Sequence, residues 1–239
     1  MLDTIFFDLD NTLLDFTRAE AEALRRALAE EDVPAHDAVL QRYHVINIAQ
    51  WELLEEGKLT RDEVLVRRFD LLFEELGLER SAEAVCARYE EYLKEGRWLL
   101  PGALELLAEL APRYGLYAAS NGSAAVQNSR LDASGLRPWF RGIFISEEVG
   151  FDKPSPDFFE ACFQRIPDFS RESALIVGDS LTSDIRGGRN AGLRTCWFNP
   201  ERSPRRADIL SDYEIASLEE LPGLLAALSK KSFRQAEQL

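Results

Sequence analysis

The chain has 239 residues, 46% of them hydrophobic, and a net charge of −14 from 42 acids against 28 bases. That balance argues against binding nucleic-acid polymers or an anionic membrane surface, and any anionic ligand needs local cations to overcome the field. The length suits one large domain or a core carrying a smaller insert. No apolar run approaches the roughly 18 residues of a membrane span. No basic leader precedes the first apolar run. Cys86, Cys162 and Cys196 are far apart, without zinc or disulfide spacing. A cytoplasmic protein with reduced thiols is expected, as monomer or homodimer.

In chain order, the apolar run from Ile5 stops on two carboxylates, Asp8 and Asp10, with Thr12 at the same spacing. Such a run reads as a strand buried on both faces. Asp is a poor strand residue, so the carboxylates mark the strand's carboxyl end. Thr17-Arg-Ala-Glu20 fits a capping box and predicts a helix start. From Glu20 to about Gly96 no strand is predicted. A second helix runs from near Asp37 to Glu56, before Gly57. Thr60-Arg-Asp-Glu63 is another capping box, opening a helix that stops at Gly77, and Ser81 to Lys94 reads as a fourth. Residues 15–98 are therefore predicted to be an all-helical insert, placed as a lid over the acids that precede it.

Beyond Pro101-Gly102, helices and strands alternate. Ala103–Ala111 is helical. Leu116–Ala119 is a strand ending on Ser120-Asn121-Gly122, and Ala124–Ala133 is helical before Gly135. Gly142–Ile145 is a strand. Ser155-Pro156 opens a helix to about Arg165. Ala174–Val177 is a strand ending on Gly178-Asp179-Ser180; a short helix follows at Ile185–Ala191, then a strand at Arg194–Phe198. Ser217-Leu-Glu-Glu220 starts a last helix to about Leu228, and the polar tail from Lys230 is expected to fray. This alternation predicts an α/β fold: a Rossmann-like, doubly wound parallel sheet formed by residues 1–14 and 99–239, with the helical cap domain inserted.

In such a sheet the strand ends share one edge, where ligands bind. That edge gathers Asp8, Asp10, Thr12, Ser120, Asn121, Gly122, Lys153, Asp179 and Asp184. The set meets the needs of phosphate-ester hydrolysis. Mg²⁺ takes oxygen ligands and keeps several waters, so two carboxylates such as Asp8 and Asp179 suffice. Asp8 suits the nucleophile, forming an aspartyl phosphate. Asp10 suits the acid that protonates the leaving oxygen and then activates water. The Ser120 hydroxyl, the Asn121 and Gly122 N–H groups and the Lys153 ammonium suit the phosphoryl oxygens. Asp184 also fits a first-turn helix acid.

These motifs resemble the haloacid dehalogenase superfamily in its aspartate-nucleophile phosphatase branch. Asp8-Leu-Asp10-Asn-Thr12 is similar to its first motif, Ser120 to the second, Lys153 to the third, and Gly178-Asp179 with Asp184 to the fourth. The resemblance implies Mg²⁺ held by Asp8, the Asp10 carbonyl and Asp179, with Asp184 supporting its waters. It also implies substrate contact at Thr12, Ser120, Asn121, Gly122 and Lys153. The insert resembles that superfamily's helical cap type. Phe7–Phe16, Ser120-Asn-Gly-Ser and Gln127-Asn-Ser-Arg-Leu131 look most similar to pyrimidine 5′-nucleotidases of the YjjG type, which act on nucleoside monophosphates.

A small phosphorylated metabolite is the expected partner. A sugar phosphate, phosphoglycolate or an acylneuraminate phosphate would use the same core. A dehalogenase has no use for Asp10, no phosphomutase signature stands in the cap, and a silent binding protein fits poorly with four intact motifs. Tyr43, His44, Trp51, Arg67 and Trp98 in the insert, and Phe16 beside it, are open to two readings: packing of the cap, or contact with a substrate's base. His36 and His44 read as surface or capping residues.

Overall fold

The computed structural model describes residues 2–236, with side chains to residue 229. Six strands form one parallel sheet: β1 (Thr4–Phe7), β2 (Gly115–Ser120), β3 (Gly142–Ile145), β4 (Ala174–Gly178), β5 (Arg194–Phe198) and β6 (Tyr213–Ile215). Their order is β3-β2-β1-β4-β5-β6, all neighbours parallel. The chain moves outward one way from β1 to β3, then returns to β4 on the other side of β1. Loops leaving β1 and β4 thus diverge, which opens a crevice at their carboxyl ends.

All four residues of β1 are buried, as a strand with both faces covered requires. Phe6 packs with Tyr117, Phe144, Phe163 and Phe169. Ile5 and Phe7, on the opposite face by the two-residue period, are equally buried. In register, Phe7 stands beside Ala118 and Val177, so β1, β2 and β4 end at nearly one level.

The chain divides into two compact units. The sheet unit comprises residues 1–14, 99–124 and 134–239; the helical unit comprises 15–98 and 125–133. The latter contains α1 (Phe16–Ala29), α2 (Asp37–Glu55), α3 (Arg61–Leu76) and α4 (Ala82–Leu93). The sheet unit contains α5 (Ala103–Leu110), α7 (Ser146–Val149), α8 (Pro156–Phe163), α9 (Arg186–Asn190) and α10 (Leu221–Ala236). Between β2 and β3 runs α6 (Ala124–Ser134). Its middle groups with the helical unit: Val126 joins that unit's apolar core, the Ser129 hydroxyl donates to Lys94 O and Arg130 Nε donates to Gly96 O. The 99–239 segment is therefore not wholly part of the sheet unit.

The Thr60–Glu63 capping box forms in both directions. The one expected at Thr17–Glu20 does not. Asp15 caps α1 instead, accepting from Arg18 N, because Glu20 turns inward and is 3% exposed. The last helix runs on to Ala236, past the expected end near Leu228, and residues 237–239 lie outside the described chain. Among the described residues no helix is long and apolar enough to cross a membrane. The three cysteines are buried and free, and burial pushes the Cys162 and Cys196 thiols up to about 12.

Candidate active site

Asp8 follows the last residue of β1, and its N–H donates to Val177 O across to β4. The chain then turns back tightly: the N–H groups of Leu13 and Leu14 both donate to Leu9 O. Asn11 takes a left-handed conformation, φ 53°, which Asn tolerates better than most residues. This turn lays Asp10 and Thr12 on the same edge as Asp8.

Across the crevice, Gly178 ends β4. A β-carbon there would lie 2.2 Å from the Asp184 carboxylate, so only glycine lets that side chain pass. Asp184 lies in a π-helical turn, Leu181–Ile185, whose first carbonyl acceptor is Ser180. The Ser180 hydroxyl caps the turn by accepting from Ser183 N at 3.1 Å.

Lys153 joins the two sides. Its ammonium, 1% exposed, donates to Asp8 Oδ1 at 2.6 Å, Asp184 Oδ1 at 2.6 Å and Ala119 O at 2.7 Å. Three donors meet three acceptors, leaving the ammonium fully satisfied. One oxygen from each of Asp8, Asp179 and Asp184 lies within 4.8 Å of the others. Three carboxylates thus face one ammonium, an excess of two negative charges in a largely buried place.

Burial pushes the Asp8 carboxyl up to about 7. Lys153 opposes that shift, and the Asp184 and Asp10 charges add to it. Burial also holds Asp179 well above the usual carboxylate range, with Asp8 and Asp184 contributing. Lys153 is held above its ordinary range by Asp184 and Asp8, which outweigh its own burial. The site is short of positive charge, and a divalent cation fits that deficit. Both Asp184 oxygens already accept hydrogen bonds, from Lys153 Nζ and Ser180 N. Asp8 and Asp179 are therefore better placed to hold a cation directly, with Asp184 behind them.

Other expected site residues lie around this centre in different ways. Asp10 is half-buried and near enough for its charge to act on Asp8. Thr12 is fully buried. Its hydroxyl accepts from Asp179 N at 3.1 Å and points at Asp179 Oδ1 at 3.4 Å, so it orients that carboxylate. Ser120 ends β2, and its hydroxyl oxygen accepts from Gly122 N at 3.1 Å, closing a small turn. The Asn121 carboxamide is bonded twice to the Lys153 main chain.

Sequence reasoning did not find Trp197, whose indole Nε1 donates to Asp179 O at 2.8 Å. A tryptophan in a strand looks like core, and only the fold shows that its N–H fixes Asp179. Nor did it find the Ala119 carbonyl, because a main-chain acceptor leaves no sequence signal.

In the helical unit, Tyr43 is buried against Phe69 and Tyr89. Trp51 Nε1 donates to Asn47 Oδ1. Arg18 stacks over Trp98, and Arg67 is exposed. Phe16 packs against the unit's core, and His36 stands at the N-cap of α2 without a side-chain bond. His44, expected at the surface, contacts buried Glu20 at 2.5 Å.

The family model described as haloacid dehalogenase-like hydrolase matches residues 2–192. The chain belongs to that family. It is 43% identical to the pyrimidine 5′-nucleotidase PynA of Streptococcus pneumoniae, over 91% of this chain and 92% of that one. It is 34% identical to the pyrimidine 5′-nucleotidase YjjG of Escherichia coli, over 93% and 97%. Among solved structures, YfnB of Bacillus subtilis, named as a HAD-hydrolase and bound to magnesium, is similar with a TM-score of 0.90. That match is at 45% identity, covering 94% of this chain and 98% of that one. The chain is thus a hydrolase of this family with an α/β, Rossmann-like sheet unit.

Proposed function

We propose that this chain is a Mg²⁺-dependent phosphomonoester hydrolase acting on pyrimidine nucleoside 5′-monophosphates. The observation that carries the reading is the buried Lys153 ammonium between Asp8 and Asp184, with Asp179 beside them and too little positive charge for all three. Similarity to PynA and YjjG supports the nucleotide as substrate. Asp8 and Asp179, with the Asp10 carbonyl, would hold the cation and Asp184 would support it. Bound there, the cation supplies charge that draws the phosphoryl oxygens in and keeps Asp8 ionised.

In this reading an Asp8 carboxylate oxygen attacks phosphorus, and the bond to the ester oxygen breaks. Asp10 gives its proton to that leaving oxygen. Water then attacks the aspartyl phosphate; Asp10 takes its proton, orthophosphate leaves and the Asp8 carboxylate is restored. Lys153, the Ser120 hydroxyl and the Asn121 N–H face the charge that develops on the phosphoryl oxygens, and the Gly122 N–H, which donates to the Ser120 hydroxyl oxygen, holds that hydroxyl in place. Thr12 acts at one remove, through Asp179. Buried free thiols support a cytoplasmic enzyme.

The test is Mg²⁺-dependent phosphate release from UMP, dUMP and dTMP against phosphoglycolate, sugar phosphates and an acylneuraminate phosphate. The nucleotides are expected to be hydrolysed with the highest kcat/KM. A sugar phosphate preferred over all three nucleotides removes the nucleotidase reading. Absence of phosphate release from every compound removes the phosphatase reading as well.

A further inference from the structure

We propose that Asn121 is a positioning residue that sets the Lys153 ammonium in place, acting through the Lys153 main chain and not by side-chain contact with the phosphate. This rests on the reading of Lys153 as a phosphate-facing cation. The carboxamide makes two bonds to one residue 32 positions away. Asn121 Nδ2 donates to Lys153 O at 2.8 Å, and Lys153 N donates to Asn121 Oδ1 at 2.8 Å. Only a carboxamide offers a donor and an acceptor side by side. Asp lacks the donor, and Ala lacks both.

The same strand end holds this lysine at its other extremity. Ala119, two residues before Asn121, accepts from Lys153 Nζ through its carbonyl at 2.7 Å. Residues 119 and 121 thus hold the lysine at head and foot. The opposite side of the loop is packed as well: a β-carbon on Gly187 would lie 3.0 Å from Pro154 Cα, so α9 presses against the residue that follows Lys153. The four-carbon stem between these anchors is intrinsically flexible. An ammonium bonded at 2.6 Å to two carboxylates on different loops needs its main chain fixed to comparable tolerance. Displacements of about an ångström in such sites cost on the order of 10²-fold in rate.

A double-mutant cycle between N121A and K153M tests this, with kcat and KM measured on p-nitrophenyl phosphate at saturating Mg²⁺. N121A is expected to lower kcat/KM by about 10- to 100-fold, as for the loss of two hydrogen bonds at a buried charge. In the K153M background the same substitution is expected to change it less than about threefold, since coupled residues are non-additive. An equal loss in both backgrounds overturns the proposal, because Asn121 would then act on the substrate independently. N121D keeps the acceptor for Lys153 N and loses the donor; its loss is expected to fall between wild type and N121A. Should N121A not fold, N121D in the two backgrounds decides by the same criterion.

An activity-free measurement separates this proposal from the phosphatase reading. In protein labelled with ¹⁵N-lysine, the buried ammonium signal assigned by its absence in K153M should broaden or shift in N121A. An unchanged signal overturns the proposal even if phosphate release is confirmed. A wild type that releases no phosphate overturns the phosphatase reading while the ammonium signal still judges Asn121.

Discussion

Each unit of this protein buries an ionic network, and the two are built on opposite principles. In the helical unit Glu20 accepts from Asn47 Nδ2 at 2.7 Å and meets His44. Asn47 Oδ1 accepts from Arg68 at 3.0 Å, and Arg68 donates to Glu90 at 2.9 Å. Cationic and anionic groups there are matched. In the sheet unit three carboxylates share one ammonium. A balanced buried network locks helices together and asks for nothing more. An unbalanced one persists only where another charge completes it, and it marks the site that binds something.

The largest expected effect separates the two on the functional side. D8N should lower Mg²⁺-dependent phosphate release by about 10⁴-fold or more, as loss of a nucleophile does, with the far-UV and near-UV circular dichroism retained. Activity within about tenfold of wild type would end the nucleophile assignment. D10N follows, with an expected loss on the order of 10²- to 10⁴-fold in kcat if Asp10 moves protons. A change confined to KM would show that it does not.

On the structural side, R68M leaves Glu90 and Asn47 facing an apolar group in the helical unit. It is expected to cost about 3–5 kcal/mol of stability by denaturant titration. A loss under about 1 kcal/mol would mean that the balanced network is dispensable.

The smallest effects are in pH dependence, and the two networks should again differ. In chelator, the proton on Asp8 stabilises the fold fully below its ordinary pKa of 3.8, and that contribution is lost as pH rises through about 7. Over that window the stability of wild type should fall relative to D8N; parallel melting curves would contradict the burial argument. His44 is raised above its ordinary 6.5 by its bond to Glu20. Its contribution is complete below 6.5 and is lost as pH rises through the higher folded value. Its half-exposed ring makes this slope shallow, and H44Q should flatten it. Indistinguishable slopes for wild type and H44Q would remove His44 from the network.

How much of this was legible in the sequence depended on how local each feature is. Asp8, Asp10 and Asp179 sit where an apolar run meets polar turn residues, and a parallel sheet brings such ends together whatever the loops do; Lys153 lies beyond β3 and α7 and is legible by its place before Pro154 and Ser155-Pro156. Asn121 reads as an N–H donor; the bonds of its carboxamide to a residue 32 positions away carry no local signal. The bonds of Thr12 to Asp179 were not legible, because spacing gives direction but not partner. Glu20 read as half of a capping box since its spacing from Thr17 is right, yet it is also four residues before Leu24 on the buried stripe. Burial won because His44 and Asn47, from another helix, satisfy it. The short α7 was missed because four residues are too few for periodicity to register.

One feature of the chain path bears on how such a molecule is assembled. Leu14 and Leu99 form an antiparallel bridge, Leu100 N donates to Leu13 O, and on the helical side Asp15 N donates to Trp98 O. The insert therefore leaves and re-enters the sheet unit at neighbouring points. Excising residues 15–98 would require a short turn between Leu14 and Leu99 and new partners for Val126, Ser129 and Arg130 on α6, while the six strands themselves lie outside the excised block. Gain, loss or exchange of this block would take a single insertion or deletion between two adjacent points of the sheet unit.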